Sequence, residues 1–495
     1  MKTDGRPVAG AKARWMRQAG LLLAFSWLAM QQALGFSFAD VEDKAKVLAS
    51  APFSDEQAPE SLRRLDYPAW SAITFDRSKS LWRDEPLGFR LDFFHPGMQY
   101  GQPVRVNVVE GGNVAPVPFS RDFFQNAPNV EGVQGFSGLL FRHPLNVPGE
   151  FDEFLSFLGA SYFRALGKGQ WYGLSARGLG LGVTEEGEEF PHFREFWVQK
   201  PAADERHFTL WALLDGPSVT GAYEFRVFPG AATRMEVEAS LFFRGEPQKK
   251  IALAPLTSMY LAGENDPEKE NPAEAHDSDG MLLSLDSGEW LFRPLANPRK
   301  TITHAFSGGI KGFGLVQRDR QPHHYRDPQL RYERRPAVWV APKSPWPRGH
   351  IELFEMASEH DYIDNIGLFW VAEDKPQALV PWRFRYDLLW LGEDAALFAG
   401  GRAVASRITE KEGQWRVEID FALSPSEPGA SLPEAVVTAE GRQVDARVQA
   451  LPLGDGWRVK FSLPKGEGGK PLEVRAFLRR GAKALTETWS YALGV

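Results

Sequence analysis

Asp364 has the sequence setting that most invites chemistry. It stands in Tyr362-Ile-Asp-Asn-Ile366, a polar pair between apolar residues that runs into the apolar segment Leu368 to Val371. A carboxylate so placed needs either a wet cleft or a set of donors. Both environments move its pKa and suit it to acid–base work. A second acidic set, Asp277-Ser-Asp-Gly280, has the oxygen-rich spacing with which loops wrap calcium. Its third acidic ligand and closing Glu are missing, so the expectation is an Asx turn leading into a strand over Met281 to Leu285. His276 beside it is expected to be a hydrogen-bonded structural histidine.

Other chemistries drop out. The 495 residues include no cysteine, which excludes thiolate nucleophiles, disulfides, zinc ribbons and iron–sulfur clusters. Gly178, Gly180 and Gly182 lack the strand and helix that a dinucleotide loop needs. There is no Gly-x-x-x-x-Gly-Lys-Ser/Thr loop and no His-Glu-x-x-His pair. Gly173-Leu-Ser-Ala-Arg-Gly178 has its second Gly one residue too late for a nucleophile elbow and reads as a turn. No metal or cofactor is expected. A formal charge of −7 with interspersed signs argues against nucleic acid as a partner.

The elements that must position these residues read mostly as strands. Trp415, Val417, Ile419, Phe421 and Leu423 alternate with Arg416, Glu418, Asp420 and Ala422; Trp457 to Leu463 and Leu472 to Ala476 repeat the period of a half-buried strand. Turn residues at Ser424 to Pro428 and Gly454 to Gly456 separate them, as in a small antiparallel sandwich. Short runs at Arg105 to Val109, Phe208 to Leu213, Glu224 to Phe228, Met235 to Phe243 and Ile351 to Phe354 point to a larger one. Two helices are expected: one capped by Asp40 with Val41, Ala45 and Leu48 on a face, and one over Glu150 to Leu158. The stretch Gly392 to Gly401 separates a large domain, 36–393, from a small one, 403–495, through a linker at 394–402. Five basic residues, an apolar run from Ala19 to Met30, and Ala33 and Gly35 ahead of Phe36 read as a Sec-type signal peptide over 1–35. Without it, 52 basic and 63 acidic side chains leave a formal −11 on an exported protein. The 16 Trp, 35 Phe and 11 Tyr serve either a β-rich core or a groove that stacks sugar rings.

A set of longer runs narrows the reading. Leu158-Gly-Ala-Ser-Tyr-Phe-Arg164, Tyr172-Gly-Leu-Ser-Ala-Arg-Gly178, Gly187-Glu-Glu-Phe-Pro191, Glu195-Phe-Trp197, Ala254-Pro-Leu-Thr-Ser-Met259, His276-Asp-Ser278, Glu289-Trp290, Arg335-Pro336, Trp339-Val-Ala-Pro-Lys343 and Asp364-Asn-Ile366 occur in one order. In these the chain resembles the periplasmic glucan biosynthesis proteins G and D, which take part in making osmoregulated periplasmic glucans.

The resemblance implies an all-β fold: a large antiparallel, galactose-mutarotase-like β-sandwich followed by a small immunoglobulin-like one. It implies a periplasmic location and a β-1,2-glucan ligand. On the D branch it implies an inverting endo-β-1,2-glucanase, in which Asp364 is the general acid and Asp277 stands on the general-base side through a water relay. Two carboxylates suit acetal cleavage because one protonates the leaving oxygen while the other activates water on the opposite face. Asp361 stands where the same loop often carries an acid, and Ile363 stands where the family commonly has a polar residue. Tyr162, Arg164, Tyr172, Arg177, Trp197, Arg335 and Trp339 are the expected glucan contacts, offering stacking faces and forked donors. The Sec-type signal fits the G branch, whose members look like weak hydrolases. A non-catalytic scaffold that receives polymer from the inner-membrane glucosyltransferase therefore stands as the alternative, and a homodimer stays open.

Overall fold

In the computed structural model the described residues are Met1 and 35–265, 273–343, 346–423, 431–452, 454–466 and 471–494. The expected signal segment, except for Met1 and Gly35, and the turn at Ser424 to Pro428 lie outside them.

Two large sheets face each other. The ten-stranded sheet runs in hydrogen-bonding order through Arg90–Phe94, Gly138–His143, Asp152–Leu158, Tyr162–Ala165, Ser175–Arg177, Ile251–Ser258, Ile366–Ala372, Gly349–Glu355 and Ile302–Phe306, with Leu179–Leu181 as a further partner of Ile251–Ser258. The opposing sixteen-stranded sheet includes His192–Gln199, Phe208–Asp215, Val219–Phe228, Thr233–Phe243, Trp382–Leu391, Ala337–Lys343, Ile310–Val316, Gly280–Leu285 and Trp290–Pro294. Period-2 patterning explains these strands. Along Thr233–Phe243, Met235, Val237 and Ala239 point inward while Arg234, Glu236 and Glu238 remain half-exposed. Leu253, Leu256, Leu368 and Phe163 from one sheet join Leu210, Phe225, Val237 and Leu388 from the other in a single core. The Phe surplus is spent here: the Phe157 ring lies 5.1 Å from Phe196, 5.3 Å from Phe163 and 5.3 Å from Phe225. The all-β sandwich expected from the sequence is the fold observed.

The C-terminal strands behave as their alternation predicts. Arg402–Lys411, Gln414–Ala422, Gly456–Pro464 and Ala446–Ala450 form a four-stranded antiparallel sheet. Facing it, Glu434–Ala439, Leu472–Arg480 and Thr488–Leu493 continue the sixteen-stranded sheet, because Leu291 and Phe292 pair in parallel with Thr488 and Trp489. Leu282, Trp339 and Leu391 share a core with Ile419, Val459 and Trp489.

Three local expectations are corrected. The first helix, Phe38–Ala49, is capped by Ser37 and not Asp40. Asp40 is the third helical residue, and its carboxylate accepts from the Ser37 N–H at 2.8 Å, a reciprocal capping box. The segment Glu150 to Leu158 is no helix: Asp152–Leu158 is a strand paired on both edges, and its neighbours bury Phe154, Leu155 and Phe157. Ser175–Arg177, read as part of a turn, is a short strand between Tyr162–Ala165 and Ile251–Ser258.

Candidate active site

The ten-stranded sheet brings together residues that lie far apart in sequence. Asp364 sits just ahead of strand Ile366–Ala372, while Arg164 and Arg177 lie on two neighbouring strands of the same sheet. The intervening strand Ile251–Ser258 bulges between Leu253 and Leu256, where Ala254 takes φ +44°. Arg164 donates from Nε to Ser175 Oγ at 2.6 Å, and its Nη2 lies 4.0 Å from Asp364 Oδ2. The Asp364 side chain is 38% exposed. Partial desolvation pushes its carboxyl above the ordinary range, and the charges of Arg164 and Arg335 pull the other way.

Asp277 enters from the short strand Ala275–His276, and only 7% of its side chain is exposed. Arg335 Nη1 lies 2.6 Å from its Oδ1, an ion pair without the alignment of a hydrogen bond. Burial raises the Asp277 pKa to about 6; Arg335 opposes the rise, and Asp364 adds to it through its negative charge. The two carboxylates thus share one electrostatic neighbourhood, one buried and the other open to solvent. Arg335 is threaded past Gly173, where a Cβ would come 2.9 Å from Arg335 Cδ.

Asp361 is engaged differently. Arg326 Nη2 donates to its Oδ2 at 2.7 Å, and that hydrogen bond holds the Asp361 pKa below the ordinary range. The Tyr332 hydroxyl reaches the same oxygen at 3.4 Å, and the Arg335 guanidinium lies 4.6 Å from the Tyr332 ring centroid. Burial, reinforced by the Asp361 charge, raises the Tyr332 pKa to about 12. Tyr332 and Arg326 therefore join the cluster without having been expected. Their only sequence signal was the run of arginines around Tyr332, and its left-handed neighbour Arg331, φ +51°, is what turns the chain at this point.

The expected glucan contacts divide. Tyr162 and Arg177 pack together, with the guanidinium 4.9 Å from the Tyr162 ring and 4.8 Å from that of the exposed Phe190; Arg177 also donates to Glu188 at 2.7 Å. Tyr162 lies within the field of Asp364, and burial raises its pKa. Tyr172 is half-buried against the main core, and burial pushes its pKa up. Trp197 is not brought to this group. It is buried under the first helix, stacked on Phe36 at 5.3 Å. Trp339 is also buried elsewhere, stacked on Trp290 at 5.3 Å in the core that joins the C-terminal strands.

His276 is a hydrogen-bonded core residue, held by Gln317 Oε1 at 2.9 Å and Glu274 Oε2 at 2.7 Å. Burial pulls its pKa down, and the Glu274 contact, the Asp279 charge and the Gln317 contact together more than offset this, so the net shift is upward. Asp279 does not close an Asx turn on its own segment: its Oδ2 accepts the N–H groups of Arg318 at 2.6 Å and Asp319 at 2.8 Å. Among the described residues, Glu274, Asp319 and His324 bring one ligand atom each within 4.8 Å of one another. Glu274 and His324 border a cavity of about 610 Å³ whose lining does not include Asp277 or Asp364. The carboxylate chemistry, and not the volume of that cavity, locates the candidate site.

The fold and site define a two-sheet β-sandwich that presents a buried and an exposed carboxylate among arginines and tyrosines. The family model described as periplasmic glucan biosynthesis protein, MdoG, matches residues 36–493, and the chain belongs to that family. Membership gives it a role in glucan biosynthesis and a periplasmic location. It is 38% identical to the glucans biosynthesis protein G of Ralstonia nicotianae over 97% of this chain and 99% of that protein. The protein of the same name from Sodalis glossinidius is 36% identical over 98% and 97%, and that of Pseudomonas paraeruginosa 37% over 92% and 93%.

Proposed function

We propose that the protein binds β-1,2-glucan in the periplasm and hydrolyses its backbone with inversion, Asp364 serving as general acid and Asp277 standing on the general-base side. The observation that carries this reading is the pairing of unequal environments: Asp277 is buried beside Arg335 with a pKa of about 6, and Asp364 is open to solvent with its pKa raised. Near neutral pH Asp277, with a pKa of about 6, is largely ionised and can draw a proton from water, while partial desolvation moves the Asp364 carboxyl upward, the direction a general acid requires. Tyr162 and Arg164 line the approach to Asp364 and supply a flat face and forked donors for a pyranose. Incubating purified protein with linear β-1,2-glucan and sizing the products tests the activity. Shorter oligosaccharides are expected, with the new reducing ends in the α configuration by polarimetry; an unchanged polymer counts against it.

One observation favours a second reading. Asp361 is tied to Arg326 and remains ionised, and Ile363 offers no proton-carrying group. A proton chain along this loop is therefore interrupted. A scaffold that accepts glucan from the inner-membrane glucosyltransferase without cutting it needs only the binding half of the site. Glucan production sustained by an Asp364→Asn, Asp277→Asn double variant would support the scaffold and exclude essential hydrolysis.

A further inference from the structure

We propose that Asn365 is the positioning residue that fixes Asp364 relative to Asp277. The inference rests on the reading of those two carboxylates as acid and base. The hydrogen-bonded ladder between Ile251–Ser258 and Ile366–Ala372 ends at the pair Ser258 and Ile366. One step further the two chains diverge, and Asp364 and Tyr260 lie beyond the last rung.

Asn365 supplies the missing rung with its side chain. It is fully buried. Its Oδ1 accepts the Tyr260 N–H at 2.8 Å, and its Nδ2 donates to the Tyr260 carbonyl at 2.9 Å, so one amide meets both backbone groups of Tyr260 as a neighbouring strand would. The second Nδ2 proton goes to the Met356 carbonyl at 2.9 Å, while the Asn365 carbonyl accepts the Met356 N–H at 2.9 Å. Both ends of the loop that carries Asp361 and Asp364 are thereby clamped to one residue.

The other side of that clamp leads directly to Asp277. Tyr260 pairs with His276, and their rings stack at 5.4 Å. The Asp277 N–H donates to the Met259 carbonyl at 2.8 Å. The link from Asp364 to Asp277 thus runs through the Asn365 amide and residues 259–260, with no exposed or long side chain in the path. Only a planar group with donors and an acceptor at this length can serve both faces of Tyr260. An apolar residue of similar size fills the space but leaves the Tyr260 N–H, the Tyr260 carbonyl and the Met356 carbonyl unsatisfied.

Kinetics on the full chain with linear β-1,2-glucan test the assignment. In Asn365→Ala, kcat is expected to fall on the order of a hundredfold with KM changed far less, because a misplaced acid harms the transition state and spares ground-state binding. The pH profile of kcat is also expected to move toward the ordinary carboxylate range as a displaced Asp364 loses the partial desolvation that raises its pKa. Val417→Ala, in the C-terminal core, is destabilised without shifting that profile. If Asn365→Ala fails to fold, Asn365→Ser, which keeps one hydrogen-bonding group, decides the matter in the same way. An unchanged pH profile and kcat overturn the proposal. Should the wild-type protein release no product, the hydrolase reading fails on its own. The carbon-13 titration of the Asp364 carboxyl then decides for Asn365: a curve that moves in the variant sustains the clamp, and an identical curve overturns it.

Discussion

Arg335 places Nη1 2.6 Å from Oδ1 of Asp277, yet the carboxyl still titrates at about 6 because burial outweighs the ion pair. Between about pH 4 and pH 6 the native carboxyl holds a proton that the unfolded chain has released. This group's stabilising contribution is therefore complete below pH 4 and is lost as pH rises through about 6, by about 3 kcal/mol in all. Asp277→Asn removes that dependence. The stability of the wild type relative to this variant is expected to decline from pH 4 to pH 7, which urea midpoints at a series of pH values would register. A difference independent of pH would mean that Asp277 is already ionised at low pH.

Removing the guanidinium should raise the Asp277 pKa further, since the positive charge of Arg335 does more than any other neighbour to favour ionisation. In Arg335→Met the base-side limb of the activity profile is expected to move to higher pH. Arg335→Lys, which keeps a charge but loses the fork, should move it less. Identical limbs in all three proteins would detach Asp277 from that limb.

Asp364→Asn retains the shape of the side chain and removes its proton. The variant is expected to lose about 10²- to 10⁴-fold in kcat while binding linear glucan nearly as well as the wild type, by calorimetry. Retained cleavage would remove Asp364 from the role of acid.

The sequence patterning revealed period-2 strands such as Gln414–Ala422 because one face of each is dry and the other wet. It failed at Asp152–Leu158, where strands pair on both edges and burial extends to adjacent residues, so the apolar spacing also fits a helical face. Asp364, Asp277 and Arg335 were legible as candidates through the runs that resemble the family. Tyr332 and Arg326 were not. Their part depends on a left-handed turn at Arg331 and on an ion pair across 35 residues, neither of which leaves a periodic trace. Residue type misled at Trp197 and Trp339, whose large flat rings serve a buried core as readily as a groove.

That contrast gives a direct test of which aromatics meet the ligand. Trp197→Ala should lower stability by about 3–5 kcal/mol through the cavity left beneath the first helix. Glucan affinity, measured well below the unfolding temperature, should be unchanged. Tyr162→Ala should weaken affinity, since its ring lies near Asp364 beside Arg177. Equal losses of affinity in both variants would return Trp197 to the binding surface or indicate general loosening of the sheet.

Residues 403–495, expected to form a separate domain, are joined to the large sandwich by more than the chain. Arg318 donates to Asp394 Oδ2 at 2.6 Å, to Glu487 Oε2 at 3.0 Å and to the Ala403 carbonyl at 2.8 Å, with its guanidinium 3.8 Å from the Phe292 ring centroid. All three ionic groups are buried, and the network spans the 394–402 segment from both sides. With the parallel pairing of Phe292 and Trp489 it couples the C-terminal strands to the rest of the fold. Among the described residues, Arg318→Met leaves the buried Glu487 with no cation beside it and Asp394 with Arg402 alone, and should cost about 3–5 kcal/mol. Calorimetry of the wild type is expected to show the C-terminal strands unfolding together with the sandwich, and the variant should separate an early transition from the main one. Two well-resolved transitions already present in the wild type would mean that the residues on either side of the linker are energetically independent and that Arg318 does not couple them.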